Sequence, residues 1–377
     1  MNIPSLRVLV IGGGFSGMSA AIELRRLGAS VDVVEIDAGW RSYGAGISLG
    51  GATLRAFRQL GILDRFLELG AASDGVELRL PHGQTVGSLP TPRIAGDDVP
   101  GGGAIMRPAL ARILADATLA AGAKVKLGCT FTSIEQDADG ATVAFTDGSG
   151  GRYDLVIGAD GLYSKTREAL FPAAPRPAYS GQAVWRAVLP RPAEVKTCMF
   201  WVGAGNKPGV NPVSKDEMYL FLTEHRPVNE RVDPATFVDR LRALLDGFTD
   251  PLLRAIRESI NEGSSIVYRP LEGMLMPRPW HAGRVVLIGD TVHATTPHLA
   301  SGACIGIEDA LVLADELARA DGVEAGLAAF EARRWERCRM VVQNSARLGE
   351  IEMTPDGDKA EHAAIMRASM LALAEPI

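Results

Sequence analysis

Three glycines near the start of the chain have the spacing of a loop that binds phosphate. Gly12, Gly14 and Gly17 form a GxGxxG pattern between the apolar run RVLVI at 7–11 and a segment of helical spacing at 16–27. In such a strand–loop–helix unit the first glycine allows a tight turn and the second allows close approach of a pyrophosphate. The third lets the helix pack on the strand, and the amide groups at the helix N-terminus face the phosphates.

An acidic residue follows the next apolar run along the chain. Residues 31–34 are typical of a buried strand, and Glu35 comes directly after them. A carboxylate at this place can accept hydrogen bonds from a ribose diol. The pattern therefore predicts a dinucleotide site, but it does not distinguish FAD from NAD.

Two later segments also place a polar turn after an apolar strand. The first, DLVIGADGLYSKTR at 154–167, puts Asp160 after a short strand. The second, RVVLIGDTVHATTPHLASGACIGIEDA at 284–310, puts Asp290 after another strand and predicts a helix from about residue 303. Because ligands of α/β folds bind at the carboxyl ends of strands, both aspartates are candidates to contact a bound cofactor.

Together the three segments resemble the fingerprints of the FAD-dependent aromatic hydroxylases, the single-component flavoprotein monooxygenases with the para-hydroxybenzoate hydroxylase fold. The family motifs GxGxxG, GADGxxSxxR and GDAxHxxxPxxGQGxN have counterparts here in the same order, and the resemblance covers residues 5–345. Salicylate, 6-hydroxynicotinate and urate hydroxylases are similar members. The chain departs from the family where Ala300-Ser301 replaces Gly-Gln and where Cys304 replaces asparagine.

The resemblance implies FAD as cofactor and NADH or NADPH as a transient electron donor. The positions it assigns to FAD are Gly12, Gly14, Ser16, Gly17, Glu35, Ile36, Arg41, Gly46, Arg107, Phe131, Asp160, Asp290, Pro297, Gly302, Ala303 and Cys304. Arg107 opens a predicted helix, and its guanidinium matches phosphate oxygens. Phe131 lies in a predicted strand at 125–135, whose backbone contacts adenine in the family.

The fold class implied is α/β, with a Rossmann-like FAD-binding domain, an inserted antiparallel-sheet substrate domain and a C-terminal helical tail. Segments such as QAVWRAVLP and EMYLFLTE alternate as strands of the inserted sheet do. The predicted boundaries are 1–72, 100–178 and 280–345 for the FAD-binding domain, 73–99 and 179–279 for the substrate domain, and 346–377 for the tail.

The activity implied is that of a monooxygenase that uses NAD(P)H and O2 to hydroxylate an aromatic or N-heteroaromatic substrate, of phenol or hydroxy-acid type, through a C4a-hydroperoxyflavin. The candidate substrate-binding residues are Trp185, Arg186, Tyr219, Phe221, Pro297 and His298. The candidate catalytic residues are Tyr219, His225, His298 and Arg186. A flavin oxidase or reductase of the same fold, or a flavin-binding redox sensor without turnover, is the alternative.

Composition sets broader limits on function. The 377 residues carry a net charge of −6, which gives no basic face for nucleic acid, and no uncharged apolar stretch is long enough to span a membrane. None of the four cysteines lies in a CxxC pair, and the spacing of His293 and His298 does not place them on one helical face. We expect a cytoplasmic monomer or homodimer without a metal site.

Overall fold

The computed structural model describes residues 3–202 and 206–377 and divides into two units. Unit 1 comprises Met1–Ser42, Ala111–Ala178 and Glu272–Ile377, and unit 2 comprises Tyr43–Leu110 and Tyr179–Leu271. In the predicted division, by contrast, 43–72 and 100–110 belong to the FAD-binding domain. The assignment of a function to each segment stays a prediction.

The strands of the described residues alternate with helices in the first part of the chain and dominate its middle. The strands are β1 (Arg7–Ile11), β2 (Ser30–Glu35), β3 (Gly46–Gly50), β4 (Ala71–Ser73), β5 (Val76–Arg79), β6 (Thr85–Leu89), β7 (Gly102–Met106), β8 (Lys124–Leu127), β9 (Phe131–Gln136), β10 (Ala141–Phe145), β11 (Gly150–Tyr153), β12 (Leu155–Gly158), β13 (Ala178–Pro190), β14 (Cys198–Trp201), β15 (Gly209–Pro212), β16 (Glu217–His225), β17 (Ser265–Leu275), β18 (His281–Ala282) and β19 (Val285–Leu287).

Helices are concentrated at the two ends of the chain. The α-helices are α1 (Phe15–Arg26), α2 (Gly51–Gln59), α3 (Leu63–Leu69), α4 (Arg107–Ala120), α5 (Lys165–Leu170), α6 (Phe237–Leu244), α7 (Pro251–Ser259), α8 (Asp290–His293), α9 (Gly302–Arg319), α10 (Val323–Met353) and α11 (Lys359–Ala374). Short 3₁₀ turns lie at Ile3–Ser5, Pro234–Thr236 and Pro297–Leu299.

Unit 1 is built on a parallel sheet with the strand order β18-β19-β12-β1-β2-β8, in which only the edge strand β18 runs antiparallel among the described strands. The central strands are apolar and buried on both faces, as parallel sheets require. Helices α1 and α9 pack together on one side. The small sheet β11-β10-β9 contributes Val143 and Phe145 to a core with Leu9 and Ile11.

Unit 2 is built on a larger sheet with the order β17-β13-β16-β15-β14-β5-β6 among the described strands. One face packs on α6 and α7 around Trp185, Trp201 and Leu241. The strands alternate between this covered face and the opposite one, because successive side chains of a strand point to opposite sides. A second sheet, β3-β7-β4, packs Ala104 against Val213 and Tyr219 of the opposite face.

The predicted α/β class and the predicted strands before the three motifs are confirmed, as is the helical tail. Two details were wrong. The predicted strand 125–135 is two strands, since Gly128 takes a left-handed φ of 67° and turns the chain from β8 into the separate sheet of β9. The inserted sheet is not wholly antiparallel, because β5 and β14 run parallel. These two strands come from distant segments, so no hairpin sets their directions.

A search of the described helices for segments that could cross a bilayer found none long and apolar enough.

Candidate functional site

The three sequence motifs meet at one edge of the parallel sheet of unit 1. Strands β1, β12 and β19 are neighbours, and each is followed by one of the motif loops. The loops touch. A Cβ on Gly12 would overlap the carbonyl of Ala159, and a Cβ on Gly289 or Gly306 would overlap the Ser16 hydroxyl. The structure therefore joins segments that lie more than 100 residues apart in sequence.

The three glycines of the first loop meet different requirements. Gly12 has a φ of 109°, and a Cβ on Gly17 would overlap the Gly12 carbonyl, so the fold itself demands glycine at both positions. Gly14 is exposed, has an ordinary φ of −77° and has open space where a Cβ would stand. Among the residues that the structure describes, none requires glycine there. Gly14 is also the N-cap of α1 and gives it no side-chain cap, which leaves first-turn amides for a ligand.

Glu35 lies at the end of β2, beside the glycine loop, as predicted. Its Oε2 accepts a hydrogen bond from the Gly13 amide at 2.7 Å, and its Oε1 accepts one from the Asp37 amide at 2.7 Å. Each carboxylate oxygen keeps a further lone pair for a ligand hydroxyl. The next residue, Ile36, is 73% exposed. Arg41 is also exposed and pairs with Asp37.

The second motif is held together by Asp160. The carboxylate of Asp160 accepts hydrogen bonds from the Ser164 hydroxyl and from both the amide and the hydroxyl of Thr166. Buried Arg167 donates to the carbonyl of Thr291 at 2.8 Å, and the Gly161 amide donates to the Thr291 hydroxyl at 3.2 Å. Since Thr291 follows Asp290, these bonds attach the second motif to the third.

The loop after β19 exposes Asp290 and then returns toward the sheet. Asp290 begins the short helix α8 and its side chain is accessible. The 3₁₀ turn Pro297–Leu299 is followed by Ala300, whose φ of 49° is the left-handed conformation that glycine favours. Ala300, which stands where the family has glycine, therefore keeps a backbone conformation typical of glycine. A left-handed residue other than glycine costs about 1–2 kcal/mol.

His298 lies beside two protein groups. Its side chain is 4% exposed, and its Nδ1 lies 2.9 Å from the Thr296 hydroxyl. Its Nε2 lies 3.5 Å from a carboxylate oxygen of Glu352 in α10, and the other oxygen of Glu352 is 3.2 Å from Nε2 of His362. The helical tail therefore contacts the third motif, which the sequence did not predict.

Helix α9 begins directly after the loop, and Gly302, Ala303 and Cys304 form its first turn. Ser301 is the N-cap, but its hydroxyl donates to the Leu299 carbonyl and gives no side-chain cap to the helix. First-turn amides and the positive end of the helix dipole can therefore interact with an electron-rich ligand.

A buried ionic network fixes the start of this loop. Asp309 in α9 accepts hydrogen bonds from the Gly289 amide at 2.9 Å and from Arg334 of α10 at 2.8 Å, and it lies 2.5 Å from His293 Nε2. Burial alone would raise the pKa of Asp309, but His293 and Arg334 lower it to about 2. Burial opposes charge on His293 too, yet Asp309 raises the pKa of His293 well above its usual value.

Cys338 completes a group of three potential metal ligands with His293 and Asp309, whose ligand atoms lie within 4.8 Å of one another. The guanidinium of Arg334 lies in the same group, 2.8 Å from Asp309 and 3.5 Å from the Cys338 sulfur. A metal cation would be repelled by this fixed positive charge. We therefore interpret the group as an ion-pair network.

The remaining predicted positions are divided between the two units, with Arg107 and Gly46 in unit 2. Arg107 begins α4, as predicted, and its side chain packs along Gly44. Phe131 lies in unit 1, at the start of β9. Gly46 lies directly beneath the ring of Tyr219, where any Cβ would overlap it.

Arg186, Tyr219 and Phe221 share the face of the large sheet opposite to α6 and α7. Arg186 is paired across the strands with Phe221, whose ring centroid lies 5.0 Å from that of Tyr219. The Tyr219 hydroxyl is hydrogen-bonded to Ser48, which also accepts a hydrogen bond from Asn211 at 2.9 Å. Burial raises the pKa of Tyr219 to about 12, although the Ser48 hydrogen bond lowers it. Tyr219 is therefore a neutral phenol at neutral pH.

Arg186 stands out in this cluster because, within the described residues, its guanidinium has no hydrogen-bond or ion-pair partner. Burial lowers the pKa of Arg186, and the nearby positive charges of Arg107 and Arg269 lower it further. A guanidinium in such a place is stabilised by an anion.

Two predicted site residues do not join this cluster. Trp185 points to the opposite face, where its fully buried indole packs on Phe237 and Tyr268 and donates to Glu224. Trp185 and Arg186 face opposite sides of the sheet because they are neighbours in one strand. His225 lies at the exposed end of β16, about 20 Å along the strand from Tyr219. Ser48, Asn211 and Arg269 were not among the predicted site residues.

The residues of unit 1 fit the ADP part of FAD. The uncapped start of α1, the open space at Gly14 and the accessible Asp290 provide amide donors for phosphate and acceptors for hydroxyl groups. The uncapped start of α9 provides donors for the polar edge of a flavin.

Comparisons with known proteins agree with this fit. The family model described as "FAD binding domain" matches residues 5–345. Aurachin C monooxygenase/isomerase of Stigmatella aurantiaca is 32% identical, over 92% of this chain and 89% of the relative. The 3-amino-4-hydroxybenzoate 2-monooxygenase of Streptomyces cremeus is 30% identical, over 93% and 89% of the two chains.

A solved structure extends the likeness to three dimensions. The crystal structure of Klebsiella pneumoniae HpxO complexed with FAD and uric acid has a TM-score of 0.82 and 26% identity, covering 98% of this chain and 93% of HpxO. The family match includes all three motifs. The alignments with the two monooxygenases cover 89% of each relative. The chain belongs to the FAD-binding-domain family and is an FAD-dependent, NAD(P)H-using monooxygenase of the aromatic hydroxylase group.

Proposed function

We propose that the substrate is a hydroxylated aromatic or N-heteroaromatic acid that binds as an anion to Arg186. The observation that carries this proposal is the guanidinium of Arg186, which lacks a protein partner among the described residues and shares a sheet face with Tyr219 and Phe221. The uric acid bound by HpxO and the ring acid in the name of the Streptomyces cremeus relative support the same substrate class.

When bound, FAD would supply the redox chemistry with NAD(P)H and O2, while the side chains of this chain orient the substrate. Arg186 forms charge-assisted hydrogen bonds to the acid group, and the ring packs on Phe221. The neutral Tyr219 holds the substrate hydroxyl through a hydrogen bond. The role of His298 of unit 1 as a base stays a prediction; its Nδ1 lies beside the Thr296 hydroxyl and its Nε2 faces Glu352. The cytoplasmic location and the monomeric or homodimeric state stay predictions.

Arg186→Gln should abolish the preference for acids over neutral analogues. We expect KM for an aromatic hydroxy acid to rise about 10- to 150-fold, which corresponds to the loss of a hydrogen bond to a charged group. KM for the carboxamide of the same ring should stay nearly unchanged. The measurement is product formation from a panel of acids and their amides. Arg254→Gln is the control, because Arg254 is an exposed arginine of α7 in the same unit. An acid-to-amide ratio that is equal in wild type and Arg186→Gln would refute the proposal.

Tyr219→Phe should lower the product formed per NAD(P)H consumed. The variant keeps the ring stacked on Phe221 but loses the hydroxyl that Ser48 orients, which we expect to reduce coupled hydroxylation about 2- to 10-fold. Product and NAD(P)H are measured in the same reaction. Tyr153→Phe is the matched control, since it removes another partly buried hydroxyl, one bonded to Asp32 in unit 1. Unchanged coupling in Tyr219→Phe would remove this role.

A further inference from the structure

The turn that follows β2 is tied closely to the glycine loop. The Glu35 carboxylate accepts hydrogen bonds from the amides of Gly13 and Asp37. The Asp37 carboxylate accepts a hydrogen bond from the Gly39 amide at 2.8 Å and forms an ion pair with Arg41. The backbone carbonyl of Asp37 also accepts the Trp40 amide at 3.0 Å. Each of these hydrogen bonds restrains the same short turn. The turn therefore holds the side chain of Trp40 in a fixed direction.

The indole of Trp40 lies against the glycine loop. Trp40 Nε1 donates a hydrogen bond to the Gly13 carbonyl at 2.9 Å. A Cβ on Gly13 would stand only 2.5 Å from the same nitrogen, so the two residues are in close contact. Both backbone polar groups of Gly13 are therefore satisfied, the N–H by Glu35 and the carbonyl by Trp40. The orientation of the loop amides is fixed before any ligand arrives.

The backbone of Trp40 is strained to achieve this contact. Its φ of 47° is left-handed, a conformation that a bulky side chain rarely adopts. Such strain persists only where the surroundings impose it, and it concentrates at functional sites. The indole nevertheless keeps some exposure to solvent. A residue needed only for packing would gain nothing from an unfavourable backbone conformation.

We propose that Trp40 forms a wall of the site for the ADP half of FAD, where it holds the Gly12–Gly17 loop ready for the pyrophosphate. Preorganisation of this kind raises affinity, because the loop does not have to be ordered when the ligand binds. The proposal rests on the premise that the pyrophosphate of FAD binds at Gly14. The effect of Gly14→Ala on FAD binding tests this premise separately.

The test is FAD binding to the apoprotein, measured by the quenching of flavin fluorescence, together with the thermal unfolding midpoint of the same apoprotein. Trp40→Phe keeps an aromatic ring and loses the N–H donor, and we expect a rise in the Kd for FAD of about 2- to 10-fold. Trp40→Gly loses the whole indole but adopts a left-handed φ without strain, so we expect a larger rise in Kd with little loss in the midpoint. Trp335→Phe, a partly exposed tryptophan of α10, is the control and should bind FAD normally.

The possible outcomes separate the proposal from its premise. Weaker FAD binding in both Trp40 variants, with a preserved unfolding midpoint, supports it. Unchanged FAD binding in the Trp40 variants overturns the proposal. Tighter binding also overturns it, because the indole would then obstruct the cofactor. Parallel losses of affinity and of the unfolding midpoint in both variants also overturn it, because the indole would then serve the fold alone. If Gly14→Ala and the Trp40 variants all bind FAD normally, the placement of the pyrophosphate is wrong.

Discussion

Asp309→Asn should lower the free energy of unfolding by about 3–5 kcal/mol, the usual cost of removing one charge from a buried ion pair. The carboxylate of Asp309 is fully buried and faces Arg334 and His293. In the variant His293 would lose the carboxylate beside it, and Arg334 would keep, among the described residues, only its ion pair with Glu308 at 3.1 Å. The same substitution weakens the anchor of the Gly289 amide, so we also expect reduced FAD content. Urea denaturation and the flavin absorbance of the purified protein measure the two effects.

Asp315→Asn is the matched control for this network. Asp315 lies on the same helix and pairs with Arg319 and Arg333, but the pairs are partly exposed. We expect a loss below about 1 kcal/mol, as is usual for surface ion pairs. Equal, small losses in both variants would show that the buried network does not stabilise the fold.

The network also predicts how stability depends on pH. The folded pKa of Asp309 is about 2, which is below the value of an unfolded aspartate. The stabilisation is therefore present above about pH 4 and is lost as the pH falls toward about 2. The difference in unfolding free energy between wild type and Asp309→Asn should shrink over this interval. A difference that stays constant in acid would contradict the assignment.

Gly14→Ala and Gly17→Ala should separate the needs of the cofactor from those of the fold. Alanine fits the space and the φ of Gly14, so the unfolding free energy of the apoprotein should change by less than about 0.5 kcal/mol. If the pyrophosphate approaches this backbone, the added methyl group should weaken FAD binding by about 1–3 kcal/mol, roughly 5- to 150-fold in Kd. Fluorescence titration of the apoprotein with FAD measures the change.

Gly17→Ala is the contrasting variant, because its Cβ would overlap the Gly12 carbonyl even without cofactor. We expect this variant to lose both apoprotein stability and FAD binding. A Gly14→Ala protein that binds FAD as tightly as wild type would show that the cofactor does not approach the loop at this residue.

Much of unit 1 could be predicted from the sequence, because each motif is local. Residues 7–11 alone specify a buried strand, and Gly12, Gly14 and Gly17 specify the turn and helix that follow. The same holds for the strands before Asp160 and Asp290. The resemblance supplied the cofactor, since a glycine loop by itself does not distinguish FAD from NAD.

The face of unit 2 that carries Arg186 was predicted only in part. Arg186 and Tyr219 were identified, but Trp185 was placed with them although it lies in the opposite core. The side chains of β13 alternate between the two faces of the sheet, so Trp185 and Arg186 lie on opposite faces. Tertiary packing decides which of these faces is covered by α6 and α7. Ser48 and Asn211 reach Tyr219 from β3 and β15, and no feature of those segments marks them as partners.

The sequence by itself determined the α/β class, the three motif loops and the family, because those features depend on backbone conformation within short segments. Only the tertiary structure decided which face of the sheet carries Arg186, that Asp309 holds Gly289, and that Trp40 lies on Gly13. The physical reason is that these contacts join residues that are distant along the chain or depend on a strained turn. Their energies come from burial and packing of the whole unit, which no short segment contains.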